Sequence, residues 1–131
     1  MKLKYEILIA LLLVACIVVP ASAAGGSGTA SDPYRIQTAA ELQSINNNLG
    51  AYYILMNDID LSGITWTPIG TSSAGFHGSF DGNGKTIKNL ALSSTSQSAG
   101  FFGGVTSGAT IKDLTLQDCS VTSTSPICGV L

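Results

Sequence analysis

The stretch that decides the fold reads Phe76-His77-Gly78-Ser79-Phe80-Asp81-Gly82-Asn83-Gly84-Lys85-Thr86-Ile87-Lys88-Asn89-Leu90-Ala91-Leu92. It joins a glycine-rich turn to a segment whose apolar side chains stand two residues apart, the period of a strand with one buried face. That segment, residues 86–92, recurs as residues 110–116. A looser copy at residues 57–61 aligns Leu61 with Leu92. Strand-length units that recur at such intervals predict stacked coils or propeller blades.

The amino terminus has the pattern of a secretory signal peptide. Lys2 and Lys4 give a basic start, residues 7–19 are an unbroken apolar run, and residues 21–23 are small enough for a signal peptidase. The run covers about two-thirds of the length needed to cross a bilayer, so a short retained anchor is an alternative. We expect residues 1–23 to be removed and the remainder to be secreted or displayed on the cell surface.

A second processing route is present at the same end of the chain. Leu13-Val14-Ala15-Cys16 resembles the lipobox of bacterial lipoproteins, in which the cysteine is lipidated and becomes the new amino terminus. Residues 17–19 continue the apolar run where a polar tether would be expected, which favours signal cleavage. Membrane contact is therefore expected only through the signal or, as the alternative, a lipid anchor at Cys16.

Beyond residue 23 the chain is weakly acidic and keeps two cysteines. Four basic and seven acidic side chains give a net charge of −3. Nucleic-acid binding requires clustered Lys and Arg, so no nucleic-acid partner is expected. Cys119 and Cys128 either pair in an oxidising compartment or lie apart as small buried residues, and their spacing alone does not decide between the two.

One amphipathic helix is predicted after a short linker. Residues 24–33 are small, polar and rich in glycine, which predicts a flexible linker. Thr38 and Glu41 have the spacing of a capping box, and Gly50 stands where a left-handed residue ends many helices. The apolar residues at helical spacing between them are Leu42, Ile45 and Leu49. We predict a helix over residues 39–48 that covers the open apolar end of the first coil.

Alternating segments predict strands along the rest of the chain. The predicted strands cover residues 52–61, 64–69, 86–92 and 110–116. Asp81-Gly82-Asn83-Gly84 is dense in residues that accept positive φ and predicts a sharp turn. Residues 127–131 begin another glycine–apolar segment and stop, which favours a fragment of a longer protein over a stack covered by a partner. Residues 34–131 are interpreted as the amino-terminal cap and first coils of one domain.

Five motifs follow one another along the chain: Asp32-Pro33-Tyr34-Arg35-Ile36-Gln37-Thr38-Ala39-Ala40-Glu41-Leu42, Asp58-Ile59-Asp60-Leu61, Trp66-Thr67-Pro68-Ile69-Gly70, Phe80-Asp81-Gly82-Asn83-Gly84 and Gly100-Phe101-Phe102-Gly103. Together they resemble a class of secreted repeat proteins of archaeal, notably methanogen, and bacterial surfaces, in which the last motif is the short GLUG repeat. The same repeat occurs beside the catalytic part of bacterial IgA-cleaving metallopeptidases. The resemblance covers about residues 32–131. It implies an all-β fold, a parallel β-helix (solenoid) with a short amino-terminal capping helix, here as a truncated array. A β-propeller is the alternative, although its blades run to about 40 or more residues.

No catalytic, cofactor-binding or metal-ligating residue is predicted. A hydrolytic zinc site needs clustered ligands, such as two histidines with a glutamate between them, and His77 is the single histidine. The chain has no Gly-x-Ser-x-Gly motif and no second histidine to partner Cys119 or Cys128. The zinc chemistry of the metallopeptidases is therefore not expected here.

Carboxylates are the other candidate chemistry, because β-helices also carry polysaccharide lyases and hydrolases. Asp58 and Asp60 are predicted on one strand face with Asp113 on a nearby coil, an arrangement suited to acid–base work on a sugar or to calcium. Strand alternation favours solvated outward residues instead. Residues 81–84 resemble a calcium loop, but Lys85 stands where a third oxygen ligand belongs, so turn geometry accounts for them.

Five aromatic residues are candidates for a sugar-binding strip: Phe76, Phe80, Phe101, Phe102 and Trp66. We expect Phe101 and Phe102 to divide between core and surface, as alternation requires, and the others to fill gaps at coil corners.

The sequence as a whole predicts a non-catalytic secreted or cell-surface β-helix protein with a structural or adhesive role. The expected partners are surface glycans, matrix or other cell-surface proteins, and no cofactor is expected. The alternative is the amino-terminal fragment of a carbohydrate-active β-helix enzyme whose active coils lie beyond residue 131.

Overall fold

A computed structural model describes residues 25–96 and 98–124. The elements within these ranges are β1 (Tyr34–Ile36), α1 (Ala39–Gln43), a 3-10 helix (Ser44–Asn47), β2 (Tyr52–Leu55), β3 (Ile59–Asp60), β4 (Ser79–Asp81), β5 (Thr86–Lys88), β6 (Ala91–Ser94), β7 (Thr110–Lys112), β8 (Thr115–Gln117) and β9 (Ser120–Ser123). The prediction of a mostly β chain with one short helix is confirmed. The predicted signal over residues 1–23, with Cys16, and the residue Cys128 lie outside the described residues.

The strands form three sheets in which every pairing is parallel. Sheet A has the order β1-β2-β4-β7, sheet B the order β3-β5-β8, and sheet C the pair β6-β9. From β2 onward, neighbours in one sheet are separated in the chain by strands of the other sheets or by a long loop. Tyr53 pairs with Phe80, and Phe80 pairs in turn with Ile111. The chain therefore returns repeatedly to each sheet, and the passage from one strand to its neighbour in the same sheet is called a coil below.

The spatial repeat differs from the repeat read in the sequence. Thr86 pairs with Thr115 in sheet B, whereas Thr110 pairs with Ser79 in sheet A. Residues 86–92 and 110–116 thus begin in different sheets. The register expected from the repeat is wrong, because residues 86–88 lie beside residues 115–117 and not beside residues 110–112. The upstream copy does lie beside β5, but Ile59 pairs there with Ile87. The sequence alignment of Leu61 with Leu92 would instead have paired Ile59 with Leu90.

Each long predicted strand is divided by a corner. Residues 86–92 split into β5 and β6 around Asn89, whose φ is 59°, and residues 110–116 split into β7 and β8 around Asp113, whose φ is 51°. Asn and Asp adopt this left-handed conformation more readily than other non-glycine residues. The predicted strand over residues 64–69 is absent, and only an isolated parallel bridge joins Ile69 to the next coil.

The helix begins as predicted and ends differently. Thr38 Oγ1 accepts a hydrogen bond from the Glu41 N–H, and the Glu41 carboxylate accepts one from the Thr38 N–H, both at 3.2 Å. The capping box is therefore confirmed. Beyond α1 the chain tightens into the 3-10 helix. The left-handed role predicted for Gly50 is wrong, because its φ is not positive. A Cβ at Gly50 would instead lie 2.7 Å from His77 Nε2.

Two side-chain amides join these helical segments to the following coil. Gln43 Nε2 donates to Thr67 O at 3.0 Å, and Gln43 Oε1 accepts from the Thr67 N–H at 3.3 Å. Asn46 Nδ2 donates to Pro68 O at 3.2 Å, and Asn46 Oδ1 accepts from the Gly70 N–H at 2.9 Å. Each amide thus supplies the donor and the acceptor that a neighbouring strand would otherwise provide.

The core lies between the sheets and is made of apolar side chains. Its largest fully buried residues are Ile36, Leu42, Ile45, Leu55, Leu61, Ile69, Phe76, Phe80, Ile87, Leu90 and Phe101. Tyr53 is also buried, and its hydroxyl donates to Asn48 O at 2.7 Å. Burial raises the pKa of Tyr53 to about 12. The inward side chains of the last described coil are more open, as Ile111 shows with 36% exposure.

The described part of the predicted linker packs against sheet A. The Arg35 N–H donates to Gly25 O and the Tyr52 N–H donates to Gly28 O, each at 3.0 Å. A Cβ at Gly28 would overlap the Tyr34 ring, so the loop and the ring approach closely only because this residue is glycine. Residues 25–33 therefore have a defined place beside β1.

Candidate functional site

Asp58 and Asp60, the candidate carboxylate pair, accept hydrogen bonds from residues of the next coil. Asp58 Oδ1 accepts from the Thr86 N–H at 2.8 Å, and Asp60 Oδ1 accepts from Asn89 Nδ2 and from the Ser62 N–H, both at 2.9 Å. These hydrogen bonds lower the pKa of Asp60 to about 2. The Asn89 side-chain amide has the larger effect and the Ser62 backbone N–H the next largest. A general acid at neutral pH needs a raised pKa, so Asp60 is suited to accepting hydrogen bonds and not to donating protons.

The predicted turn after β4 is likewise explained by hydrogen bonds of the fold. Asp81 Oδ1 accepts from the Asn83 N–H at 2.8 Å, and Asn83 Nδ2 donates to Leu55 O of the previous coil at 3.0 Å. The Gly84 N–H donates to Asp113 O of the following coil at 3.2 Å. In the part of the chain that the structure describes, no group of three or more His, Cys, Asp or Glu residues is placed to hold a metal ion.

Backbone carbonyls are the hydrogen-bond partners of His77 and Cys119. His77 is exposed, and its Nδ1 lies 3.0 Å from Gly75 O. Cys119 is half-buried, and its Sγ lies 3.3 Å from Gln117 O. The interpretation of His77 as a loop residue agrees with this geometry. Whether Cys119 pairs with Cys128 stays open, since the second cysteine lies outside the described residues.

The aromatic residues considered as a sugar-binding strip are all buried. Trp66 stacks on Phe101 with ring centroids 5.0 Å apart, and Phe80 and Phe102 meet edge to face at 5.9 Å. Phe76 is fully buried beside them. The prediction that Phe101 and Phe102 divide between core and surface is wrong, because they are 0% and 5% exposed. These two residues lie outside the named strands, so strand alternation does not govern them.

Sheet A carries a groove on its outer face that the sequence did not predict. The register places Tyr52 beside Ser79, and it places Asp81 between Ile54 and Lys112. The groove has a volume of about 220 Å³. We call it the Tyr52 groove, and its lining includes Pro33, Tyr52, Ile54, Ser79, Asp81 and Lys112. The available signal was the alternation of β2, in which Tyr53 and Leu55 point inward and leave Tyr52 outside.

An ion pair closes the carboxyl-terminal side of the Tyr52 groove. Lys112 Nζ lies 3.0 Å from Asp81 Oδ2. The hydrogen bond and charge of Asp81 raise the pKa of Lys112. The lysine is 54% exposed and the aspartate 23%, so the pair is open to solvent and contributes little to stability. The ion pair places one positive and one negative side chain next to each other in the lining of the groove.

A second concave surface is lined only by small hydroxyl side chains. It lies along sheet C, has a volume of about 330 Å³, and is lined by Ser93, Ser94, Thr95, Thr122 and Thr124. It offers hydrogen-bonding groups but no aromatic ring, carboxylate or cation. The Tyr52 groove has all three, so it is the stronger candidate site.

Comparisons with known proteins place this chain beside much longer ones. No family model matches it. Over 116 residues it is 38% identical to Halomucin of Haloquadratum walsbyi, covering 78% of this chain and 1% of that protein. Over 102 residues it is 36% identical to the "Putative Gly-rich membrane protein" of Evansella cellulosilytica, covering 71% of this chain and 12% of that protein.

One solved structure matches the fold. It is the crystal structure of "a putative immunoglobulin A1 protease" from Bacteroides ovatus, with a TM-score of 0.66 and 29% identity over 79% of this chain and 33% of that chain. The chain thus spans a small part of both relatives and a third of the solved protein. In the ranges that the structure covers, no helix is long and apolar enough to cross a membrane.

Proposed function

We propose that this chain is a non-catalytic secreted or cell-surface protein with a parallel β-helix fold and a structural or adhesive role. The observation that carries the proposal is the all-parallel pairing of β1 to β9 in three sheets that the chain visits in turn. A solenoid of stacked coils needs this connectivity, and a propeller of antiparallel blades does not produce it. The match to the Bacteroides ovatus protein supports the same architecture.

The outer faces of the sheets suit a rigid scaffold in water. Outward positions carry polar residues, such as Lys88 and Gln117 on sheet B and Ser93 and Thr122 on sheet C. The carboxylates of Asp58 and Asp60 accept hydrogen bonds from the next coil. We also infer that residues 100–103 belong to a GLUG-type repeat. Proteolysis, which the name of the solved protein describes, is not carried over, because this sequence has a single histidine.

The proposed location is the cell exterior. It is supported by the signal-like pattern of residues 1–23 and by the names of the two relatives, a halomucin and a membrane protein. Surface glycans, matrix and other surface proteins are the proposed partners. A lipid anchor at Cys16 remains the alternative route to the same location.

Epitope accessibility on intact cells tests the location. Gly63 lies in an exposed turn where an added Cβ meets no atom within 4 Å, so a short epitope inserted after Gly63 leaves the core intact. We expect an antibody to label intact cells or the culture medium. The control is the same chain without residues 1–23, which should be labelled only after cell lysis.

Mass spectrometry of the exported chain identifies the processing route. A mature protein that starts at Ala24 supports signal cleavage, and a diacylated Cys16 supports the lipid anchor. Labelling only after lysis for both chains would contradict the proposed function.

A further inference from the structure

We propose that the Tyr52 groove binds a neutral glycan, with one sugar ring stacked on Tyr52. This inference rests on the proposed surface role and names the ligand class. Tyr52 is 41% exposed, whereas Tyr53 and Phe80 of the same sheet are buried and Tyr34 is half-buried. An exposed phenol ring can bind the apolar face of a sugar, because the ring covers the sugar C–H bonds and the sugar hydroxyls remain available for hydrogen bonds.

Tyr52 has no structural task that would explain its exposed ring. Among the described residues, its hydroxyl makes no hydrogen bond with the protein, and its ring is in no aromatic pair. By contrast, the neighbouring Tyr53 hydroxyl is bonded to Asn48 O, and its ring packs against Tyr34 at 5.5 Å. The exposed tyrosine therefore contributes to the surface and not to the core.

Hydroxyl side chains continue from the groove along the outer face of sheet A, since Ser79 lines the groove and Thr110 lies just beyond its lining. Ser79 stands beside Tyr52 on the next strand, and Thr110 beside Ser79 on the strand after that. Within the described ranges, neither the Ser79 hydroxyl nor the Thr110 hydroxyl makes a hydrogen bond with the protein. Successive strands are about 4.8 Å apart, a spacing close to the length of one pyranose ring. A linear glycan laid across β2, β4 and β7 would meet one set of hydroxyls at each strand.

Charge balance favours a neutral ligand over an acidic one. Lys112 is the cation that lines the groove, and Asp81 lies 3.0 Å from it. A uronate or sialate carboxylate that bound the lysine would lie close to the negative charge of this aspartate and be repelled by it. Neutral hydroxyls need no displacement, because the lysine has two further donors and the aspartate can accept another hydrogen bond.

The position of the groove argues against a peptide ligand. Peptides that add to a sheet bind along an unpaired strand edge. The groove instead lies on the face of sheet A, and β2 and β4 are each paired on both sides. The groove therefore offers a ring and hydroxyls, but no free backbone ladder.

Calorimetric titration of the full-length chain tests the inference. The chain is kept in a detergent without a sugar headgroup, and the probes are cellohexaose, mannohexaose, maltohexaose, xylohexaose and the acidic hexagalacturonate. We expect at least one neutral hexasaccharide to bind. Tyr52→Ala should weaken that binding tenfold or more, and Tyr52→Phe should retain most of it because the ring remains. The matched control is Ile64→Ala, which removes a similarly exposed apolar side chain outside the groove.

A charge variant adds an independent readout. Asp81→Asn keeps an acceptor for the Asn83 N–H and leaves Lys112 without its partner. We expect this variant to gain binding to hexagalacturonate. Thermal unfolding of each variant within about 2 °C of the parent shows that the fold is retained.

Three results would overturn the inference: binding of none of the neutral probes, preferential binding of hexagalacturonate by the parent chain, or equal affinity of the parent and Tyr52→Ala. These results leave the proposed function intact if intact cells still carry the epitope. Conversely, hexasaccharide binding by a chain found only inside cells would contradict the proposed function and support the groove.

Discussion

Asn46→Ala tests whether a side-chain amide can replace a missing strand. The substitution removes the donor to Pro68 O at 3.2 Å and the acceptor for the Gly70 N–H at 2.9 Å. Each lost hydrogen bond costs about 1 kcal/mol net, and a buried N–H left without a partner costs more. Gly70 is buried, so we expect the free energy of unfolding to fall by about 2–3 kcal/mol. In a domain of this size that corresponds to a loss in Tm of about 10 °C or more.

The assay is urea unfolding of the full chain, followed by circular dichroism and by the fluorescence of Trp66. Gln43→Ala removes an equivalent but exposed pair of hydrogen bonds, and we expect a loss of about 1 kcal/mol. Asn47→Ala is the matched control, since Asn47 is exposed in the same 3-10 helix and its substitution should stay within about 0.5 kcal/mol. If Asn46→Ala were no more destabilising than Asn47→Ala, water would be the hydrogen-bond partner of Pro68 O and of the Gly70 N–H in the variant. The reasoning would then fail.

Four further substitutions probe the coil contacts and the core. Asn89→Ala should raise the pKa of Asp60 from about 2 toward its ordinary value, as read by NMR titration. The stability from the lowered pKa, present above pH of about 4 and lost as the pH falls toward 2, should shrink with it. Gly82→Ala should destabilise by about 2–3 kcal/mol, because its Cβ would lie well inside van der Waals contact with the backbone oxygen of Asp113 in the next coil. Gly84→Ala, which has φ +67° but open space, should cost only the left-handed strain of about 1 kcal/mol, and equal losses in chemical denaturation would contradict the steric explanation. Phe101→Ala should cost about 3–5 kcal/mol in the same assay, and a loss below about 1 kcal/mol would mean that the aromatic cluster repacks.

The sequence was informative about local periodicity and misleading about register. The pattern Thr-Ile-Lys, followed by Asn or Asp and then Leu, corresponds to a three-residue strand and the corner after it. The same unit is found on two different sides of the coil. Residues 86–90 make the corner from sheet B to sheet C, while residues 110–114 make the corner from sheet A to sheet B. Two like segments were therefore aligned although they lie on different sides. The parallel pairings give the length of one circuit, which is 29 residues from Thr86 to Thr115 and 31 residues from Ser79 to Thr110.

Local capping signals were predictable, and long-range ones were not. Thr38 and Glu41 lie close together in the chain, so their capping box is written in the local sequence. Gln43 and Asn46 act on residues of the next coil, and no local pattern announces such contacts. The candidate site follows the same division. Strand alternation placed Asp58 and Asp60 outside, but the juxtaposition of Tyr52 with Ser79 depends on the register between β2 and β4, which no local pattern determines.

The corner at Asn83 has a consequence for the chemical lifetime of the protein. An asparagine followed by glycine loses its amide readily, because the glycine nitrogen can attack the side-chain carbon and form a cyclic imide. Here the Asn83 amide donates to Leu55 O, and the Gly84 N–H donates to Asp113 O. The two reacting groups are thus held by different neighbours, one on the coil before and one on the coil after. Folding therefore protects the Asn83 side chain from deamidation. Each excursion to the unfolded state frees both reacting groups and allows this irreversible reaction.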